Sequence, residues 1–511
     1  MMKTRKVPAD MTALGSRTNG RILTFLRRVA WLAFHFPIVS FSDHLIAQAP
    51  YVPPSDPLVQ QKLEQWHDLK FGLLMHWGPY SQWGVVESWS VCPEDEDWCR
   101  RRPEHGSTYV DYVKNYEALQ TTFDPLKFDP AKWARAAKEA GMKYMVFTTK
   151  HHDGFCMFDT KLTDYRITDP KCPFHDDPRA NIAKGVFDAF RKEGLWAGAY
   201  FSKPDWHSPF YWWPYFPPKD RNVNYLPTRY PERWQEFKDF TYGQIEELVT
   251  GCGPLDILWL DGGQVRPLNT VDSTVSWQKA IQIEQDIDMP RIAAMARTKQ
   301  PGLLVVDRTV GGEFENYITP EGHVPDKDPG VPWETCMPMG TSWSWVPNEQ
   351  YKSTDEIIRT LVKVVSRGGS LLLNVAPGPD GQLDSTAYVR LKEVGEWMQV
   401  NKEAVYATEP AFMEGGAGIV AATEPGERDR LPTPGRRTTY LFVEPKTSTV
   451  QLPSHVGASD ATARILGTNS KVRIKRVNDD FTLALPSNAG RRESLVVIVL
   501  ENWREPNGNN F

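Results

Sequence analysis

Six short apolar runs constrain the fold of this chain more than any other feature. They are FGLLMHW (71–77), YMVFTT (144–149), WAGAYFS (196–202), DILWLDG (256–262), LLVVDR (303–308) and SLLLNV (370–375). None alternates cleanly between apolar and polar residues, so each reads as a strand buried on both faces, as in a parallel sheet. Helical patterns with clear end signals lie between them. Asp129-Pro130 supplies a cap and a first-turn proline for AKWARAAKEA, and Gly141 stops that helix. Ser353 and Glu356 have capping-box spacing before IIRTLVKVV, and Gly368-Gly369 ends it. Strands that alternate with helices make either a doubly wound sheet or a (β/α) barrel. No glycine-rich dinucleotide fingerprint follows the first strand, which favours an α/β fold of the (β/α)8-like TIM barrel type.

The pattern changes near residue 405. TTYLFVEP (438–445), TSTVQLP (447–453), VRIKRV (472–477), FTLALP (481–486) and SLVVIVLENW (494–503) are β-rich runs separated by polar and Gly/Pro turns. They predict a small C-terminal antiparallel β-sandwich. At the other end, Lys3, Arg5, Lys6, Arg17, Arg21, Arg27 and Arg28 precede the apolar run VAWLAFHFPIVSF (29–41), and Ala47-Gln48-Ala49 fits a small-x-small cleavage site. This reads as a signal or targeting segment, with an apolar run too short to span a membrane. The expected organisation is a targeting segment at 1–49, a barrel at 50–404 and a sandwich at 405–511. The expected location is periplasmic, lysosomal-type or extracellular, with no membrane span after signal removal.

A net charge of −5 without a basic face argues against a nucleic-acid partner. Six cysteines in 511 residues are too few for a disulfide scaffold. Only Cys92 and Cys99, in CPEDEDWC, are close enough in sequence to close a small loop in an oxidising compartment. The 19 tryptophans and 18 tyrosines suit either a large aromatic core or surfaces that stack on sugars.

Reactive side chains gather at the C-terminal ends of the apolar runs. His76 ends the first, His151, His152 and Asp153 follow the second, Tyr200 is near the end of the third, Asp261 ends the fourth and Arg308 the fifth. In a parallel barrel those ends share one rim, where such barrels carry out chemistry. Strand alternation puts Ile257, Trp259 and Asp261 on one face, so Trp259 is expected beside Asp261. Acid–base work needs a second carboxyl group, and Glu313, Glu315, Glu321 and Glu334 all qualify by position. A metal reading of His151-His152-Asp153 is disfavoured, because adjacent histidines on an extended segment point to opposite sides. The loop DWHSPFYWWPYF (205–216) follows the third strand. Its aromatics either stack on a bound sugar or pack on their own barrel.

Taken in order, these segments resemble glycoside hydrolase family 29, the α-L-fucosidases. The resemblance runs from about residue 60 to the end. It is carried by KFGLLMHWGPYS (70–81), KYMVFTTKHHDGFCMFDTKLTDY (143–165), DILWLDG, YKSTDEIIRTLVKVVSRGGSLLLNVAPGPDGQ (351–382) and GEWMQVNKEAVYATEP (395–410). It implies a retaining exo-glycosidase that needs no cofactor or metal and removes terminal fucose from a fucosylated oligosaccharide or glycoconjugate. Asp261 matches the family's nucleophile and Glu321, in TPEGHV, its acid/base, with Glu334 or Glu315 as alternatives. Asp261 is expected ionised at rest and Glu321 protonated. His76, His151 and His152 match histidines that bind fucose hydroxyls. Tyr200, Trp259 and Arg308 belong to the same pocket by this resemblance and by their strand-end positions. Trp343, in GTSWSW, falls where the family often sets an aromatic against the C5 methyl. Glu87 and Trp89, in ESWSV, correspond to a Glu-Trp sugar-binding pair whose spacing here departs from the commoner EWY. Two other readings keep the fold: an α-L-galactosidase, and a fucose-binding protein without catalysis.

Overall fold

The computed structural model describes residues 51–503 apart from 95–96, 411–419, 424–436, 453–460, 469, 478–479 and 487–493. The expected targeting segment at 1–49 lies outside the described residues. From the first described helix onward, strands and helices alternate. In chain order they are α1 (Pro57–Leu69), β1 (Phe71–Met75), α2 (Tyr109–Glu117), α3 (Pro130–Glu139), β2 (Tyr144–Lys150), α4 (Ile182–Lys192) and β3 (Trp196–Ser202). There follow α5 (Pro231–Gly251), β4 (Ile257–Asp261), α6 (Met289–Lys299), β5 (Leu304–Asp307), β6 (Glu334–Pro338), α7 (Thr354–Val365), β7 (Ser370–Asn374) and α8 (Ser385–Asn401). The expected caps form. Asp129 accepts from the Lys132 N–H at 3.0 Å, and Ser353 and Glu356 make a reciprocal capping box.

The strands form one parallel sheet of seven, in the order β5-β4-β3-β2-β1-β7-β6. Every residue of β1, β2 and β7 is buried, which explains why the sequence runs do not alternate. The alternation appears instead in which core each residue joins. Phe71, Leu73, Met145, Phe147, Leu258 and Leu371 pack outward against the helices. Leu74, Val146, Ile257, Trp259, Val306 and Leu372 meet on the inside. That inner face is crowded. A Cβ on Gly72 would lie 2.4 Å from the Tyr144 ring, so only glycine lets this tyrosine fill the interior.

The barrel differs from eight regular strands at one seam. Between β5 and β6 the ring is closed by the stretch 315–322, which bridges Val306 through Glu315, Trp333 through Ile318 and Cys336 through Glu321. Pro320 lacks an N–H and interrupts this stretch as a strand, although its carbonyl still accepts from Cys336 N at 3.3 Å. Helix α1 closes the N-terminal mouth. Its Val59, Leu63 and Trp66 enter the inner core, and Trp66 stacks on Tyr317 of the closing stretch with centroids 3.9 Å apart.

After α8 come the antiparallel strands β8 (Glu409–Pro410), β9 (Val420–Thr423), β10 (Arg437–Val443), β11 (Thr449–Leu452), β12 (Thr462–Ile465), β13 (Arg473–Val477), β14 (Asp480–Ala484) and β15 (Val496–Trp503). They make a five-stranded sheet, β12-β15-β10-β9-β8, and a three-stranded sheet, β11-β14-β13. The larger sheet is covered on both faces. Leu441, Ile498 and Leu500 pack toward the smaller sheet, while Tyr440, Phe442 and Val497 join the core around the barrel helices.

The small loop that Cys92 and Cys99 could close is open in this structure. Cys92 is a thiol and donates to Glu94 Oε2 at 3.5 Å.

Candidate active site

Strand alternation delivers the site. On β4, Ile257 and Trp259 face inward, so Asp261 at the strand's end faces inward too. The same parity aims His76 after β1, Tyr200 on β3, Arg308 after β5 and Asn374 on β7 into one mouth. Gly262 turns the chain sharply at φ +91°, where a Cβ would lie 2.2 Å from Pro204.

Asp261 is held by three neighbours. Its Oδ1 accepts from Arg308 at 2.7 Å, its Oδ2 accepts from the Tyr200 hydroxyl at 2.7 Å, and His152 Nε2 stands 3.9 Å from Oδ2. Burial alone raises its carboxyl. Arg308, His152 and the Tyr200 hydrogen bond outweigh that and hold it well below the usual carboxylate range. Arg308 does more than pair with Asp261. Its second terminal nitrogen binds Glu321 Oε2 at 2.8 Å, its Nε donates to Thr319 at 3.0 Å, and its guanidinium lies 4.4 Å above the Trp259 ring. One guanidinium therefore bridges Asp261, whose side chain is 19% exposed, and Glu321, whose side chain is 51% exposed. At rest, Glu321 is the partner of a cation rather than a carboxyl group standing alone.

The three histidines share this mouth. His76 donates from Nδ1 to Asn374 Oδ1 at 3.0 Å; the amide orientation is set because Asn374 Nδ2 donates to the Trp343 carbonyl at 2.7 Å. Nε2 of neutral His76 is thereby left as an acceptor. His151 Nδ1 bonds the Ser88 hydroxyl. His152 Nδ1 is buried without a hydrogen-bond partner. Burial lowers His76 and His152 to about 4, and burial with its neighbouring histidines holds His151 well below the usual imidazole range, so all three are neutral near pH 7. The adjacent rings of His151 and His152 do not point apart as their spacing suggested. The chain turns after β2, and their centroids are 4.3 Å apart. Together with Asp261 they bring possible ligand atoms within 4.8 Å of one another, a set able to hold a metal ion. The Arg308 guanidinium already supplies a cation to that carboxylate.

Glu87 is buried beside these groups at φ +25°, a strained conformation for a side-chain-bearing residue. Burial pushes its carboxyl up to about 8. Contacts with Ser344 oppose the shift, and the charges of Glu321 and Asp261 add to it. Its Oε1 has no hydrogen-bond partner. Trp89 packs edge-on to His152 at 5.2 Å, and Trp343 lies 5.5 Å from His76.

Other expected residues sit elsewhere. Trp259 is 1% exposed, one layer below Asp261, and donates from Nε1 to Glu334 Oε1 at 3.1 Å. Glu334 itself is fully buried at the start of β6 and also accepts from the Tyr144 hydroxyl at 2.6 Å. Glu315 accepts from the backbone N–H groups of Thr309 and Gly311 at 2.9 and 2.8 Å, and so shapes the turn after β5. Glu313 bonds Ser55. Of the four candidate carboxyls, Glu321 is the one bound to Arg308 among the described residues. The 205–216 loop packs largely on itself and the barrel. Tyr211 is fully buried, and Trp206 stacks on Trp212 with centroids 5.3 Å apart. Asn374, Ser88, Ser344 and Thr319 were not singled out from sequence. Asn374 ends an apolar run and carries the same signal as His76, whereas the other three lie in loops with no such mark.

Residues 38–403 match the family model described as alpha-L-fucosidase. The chain belongs to the alpha-L-fucosidase family. It is accordingly a glycoside hydrolase by kinship. The alpha-L-fucosidase of Dictyostelium discoideum is 26% identical over 470 residues, covering 87% of this chain and 93% of that protein. Among solved structures, alpha-L-fucosidase isoenzyme 1 from Paenibacillus thiaminolyticus superposes with a TM-score of 0.69 at 26% identity, covering 88% of this chain and 100% of that one. The Thermotoga maritima alpha-fucosidase in complex with fucose does so at 0.63 and 25% identity, with coverages of 86% and 96%. No helix among the described residues is long and apolar enough to cross a membrane.

Proposed function

We propose that the protein is a retaining exo-glycosidase that releases terminal α-L-fucose from fucosylated glycans through a covalent fucosyl–enzyme on Asp261. The observation that carries this reading is the single guanidinium of Arg308 joining Asp261 and Glu321. Retaining enzymes set two carboxyl groups about 5 Å apart. Two carboxylates on the terminal nitrogens of one guanidinium are held close together at the mouth where the strand ends converge.

In the first step an Asp261 oxygen attacks the anomeric carbon as the bond to the leaving oxygen breaks. Glu321, detached from Arg308 and carrying a proton, gives that proton to the leaving oxygen. In the second step Glu321 takes a proton from water, which attacks the same carbon and frees Asp261. Tyr200 and Arg308 fix the orientation of Asp261 and keep it ionised. Neutral His76, His151 and His152 exchange hydrogen bonds with the sugar hydroxyls. The unpartnered Glu87 Oε1 and His152 Nδ1 give further polar atoms for them to satisfy. Trp343 stands beside His76 as the surface for the C5 methyl, and Trp89 covers His152. Trp259 serves as the floor beneath Asp261 and Arg308. We assign catalysis to residues 50–404, with residues 405–511 as the packed sandwich and residues 1–49 as an export signal.

Azide rescue tests the assignment with an aryl α-L-fucoside. Asp261→Ala with azide is expected to yield the β-fucosyl azide, because azide enters from the vacated nucleophile's side. Glu321→Ala with azide is expected to yield the α-fucosyl azide, because azide intercepts the covalent intermediate. A fully active Glu321→Ala enzyme would place the acid on another residue.

A further inference from the structure

Beyond the fucose pocket, the geometry points to Trp98, with Trp89 behind it, as a stacking platform for the pyranose that leaves when fucose is released. The inference rests on the fucosidase reading above and adds the leaving-group side of the site. In the aromatic loop 205–216, the candidate offered by the sequence, Tyr215 is 74% exposed but packs on Trp213 and Phe216 of its own loop, while Trp206, Tyr211 and Trp212 are buried. Trp98 is not: it is 51% exposed, an unusual state for the largest apolar side chain. It is also anchored to the site. Its ring packs edge-on to Trp89 at 5.3 Å, Trp89 packs edge-on to His152 at 5.2 Å, and His152 Nε2 stands 3.9 Å from the Asp261 carboxylate. The aromatic wall thus runs without a break from the nucleophile to solvent.

Trp89 is backed by further contacts. The Arg221 guanidinium lies 4.8 Å over Trp89 and binds Glu94 Oε2 at 2.7 Å, clipping the loop that carries Trp98 to the loop after β3. Trp206 closes the other side of Trp89 at 5.4 Å. A half-exposed indole at the mouth of a polar pocket suits the apolar C–H face of a hexopyranose. Such a sugar is recognised by shape and apolar contact, with its hydroxyls left in water. Fucose itself is bound deeper, by polar groups.

The test compares three substrates: α-L-fucosyl disaccharides with galactose or N-acetylglucosamine as leaving group, and α-L-fucosyl fluoride, whose leaving group has no face to stack. In Trp98→Ala and Trp98→Gln, the ratio of kcat/KM for the better disaccharide to that for the fluoride is expected to fall about tenfold. Trp98→Phe is expected to keep most of the ratio. An unchanged ratio overturns the platform even if both rates fall, since a purely structural role lowers them together. A wild-type enzyme that cleaves the fluoride but neither disaccharide also overturns it. A wild-type enzyme inert on all three overturns the fucosidase reading itself.

Discussion

Arg308 is the residue on which the two carboxyl groups depend, and its planar fork is what lets one side chain serve both. Lysine offers a point charge without that fork, so Arg308→Lys is not a conservative change here. With Asp261 less firmly paired, its carboxyl rises toward the ordinary range. The acid limb of the kcat/KM profile, which reports loss of the ionised nucleophile, then moves to higher pH. We expect that shift together with a loss in kcat/KM on the order of 100-fold. A profile scaled down without any movement of its acid limb would mean that Arg308 does not set the charge of Asp261. At this scale, much of the site was legible from strand parity. Position at the end of a buried run is enough to aim His76, Asp261 and Arg308. Parity does not report depth, which is why Trp259, two residues before Asp261 on the same face, is expected beside it and is instead 1% exposed, one layer below it. Nor does it reach Ser88 or Trp98, which are positioned by loops whose course depends on distant contacts.

Among the elements, α1 and the closing stretch 315–322 were not read from the sequence, and they act together. The six regular inner strands announce themselves by continuous apolar runs. The seventh, β6, begins with a glutamate and ends with a proline, so its pattern is blurred. The closing stretch makes bridges rather than a ladder and carries Pro320. What holds it is packing: Tyr317 stacked on Trp66, which is fully buried. Trp66→Ala empties that layer and is expected to destabilise the protein by about 3–5 kcal/mol, read from urea unfolding monitored by fluorescence and circular dichroism. Glu321 lies on the same stretch, so kcat is expected to fall at temperatures where the variant remains folded. Unchanged stability would show that α1 is not needed to close the barrel.

For the molecule as a whole, buried ionisable groups make stability depend on pH in a definite direction. Burial raises Glu87 to about 8 and Asp153, Glu315 and Glu334 to about 7. In the unfolded chain these carboxyls ionise near pH 4, so at neutral pH the folded state binds more protons. Their contribution is fully present below the unfolded values and is lost as pH rises through the folded ones. The histidines act in the opposite sense. His76 and His152, lowered to about 4, lose stability only as pH falls below the unfolded value near 6.5. The lowered carboxyl of Asp261 likewise matters only at acid pH. Between pH 4.5 and 6.5 the two sets therefore oppose each other; above pH 6.5 the raised carboxyls still change, and so does His207, which burial pulls down but Glu117 holds above its ordinary value, and whose contribution is likewise lost as pH rises. Each contributes at most about 1.4 kcal/mol per pH unit while it stays protonated in the folded state and ionised in the unfolded one. Tm measured by calorimetry is expected to be several degrees lower at pH 8 than at pH 6.5. Glu334→Gln, which keeps the volume and removes the titration, is expected to flatten that slope. A Tm that is level or rising over the same interval would mean that these carboxyls are hydrated or paired as anions rather than held neutral inside the barrel.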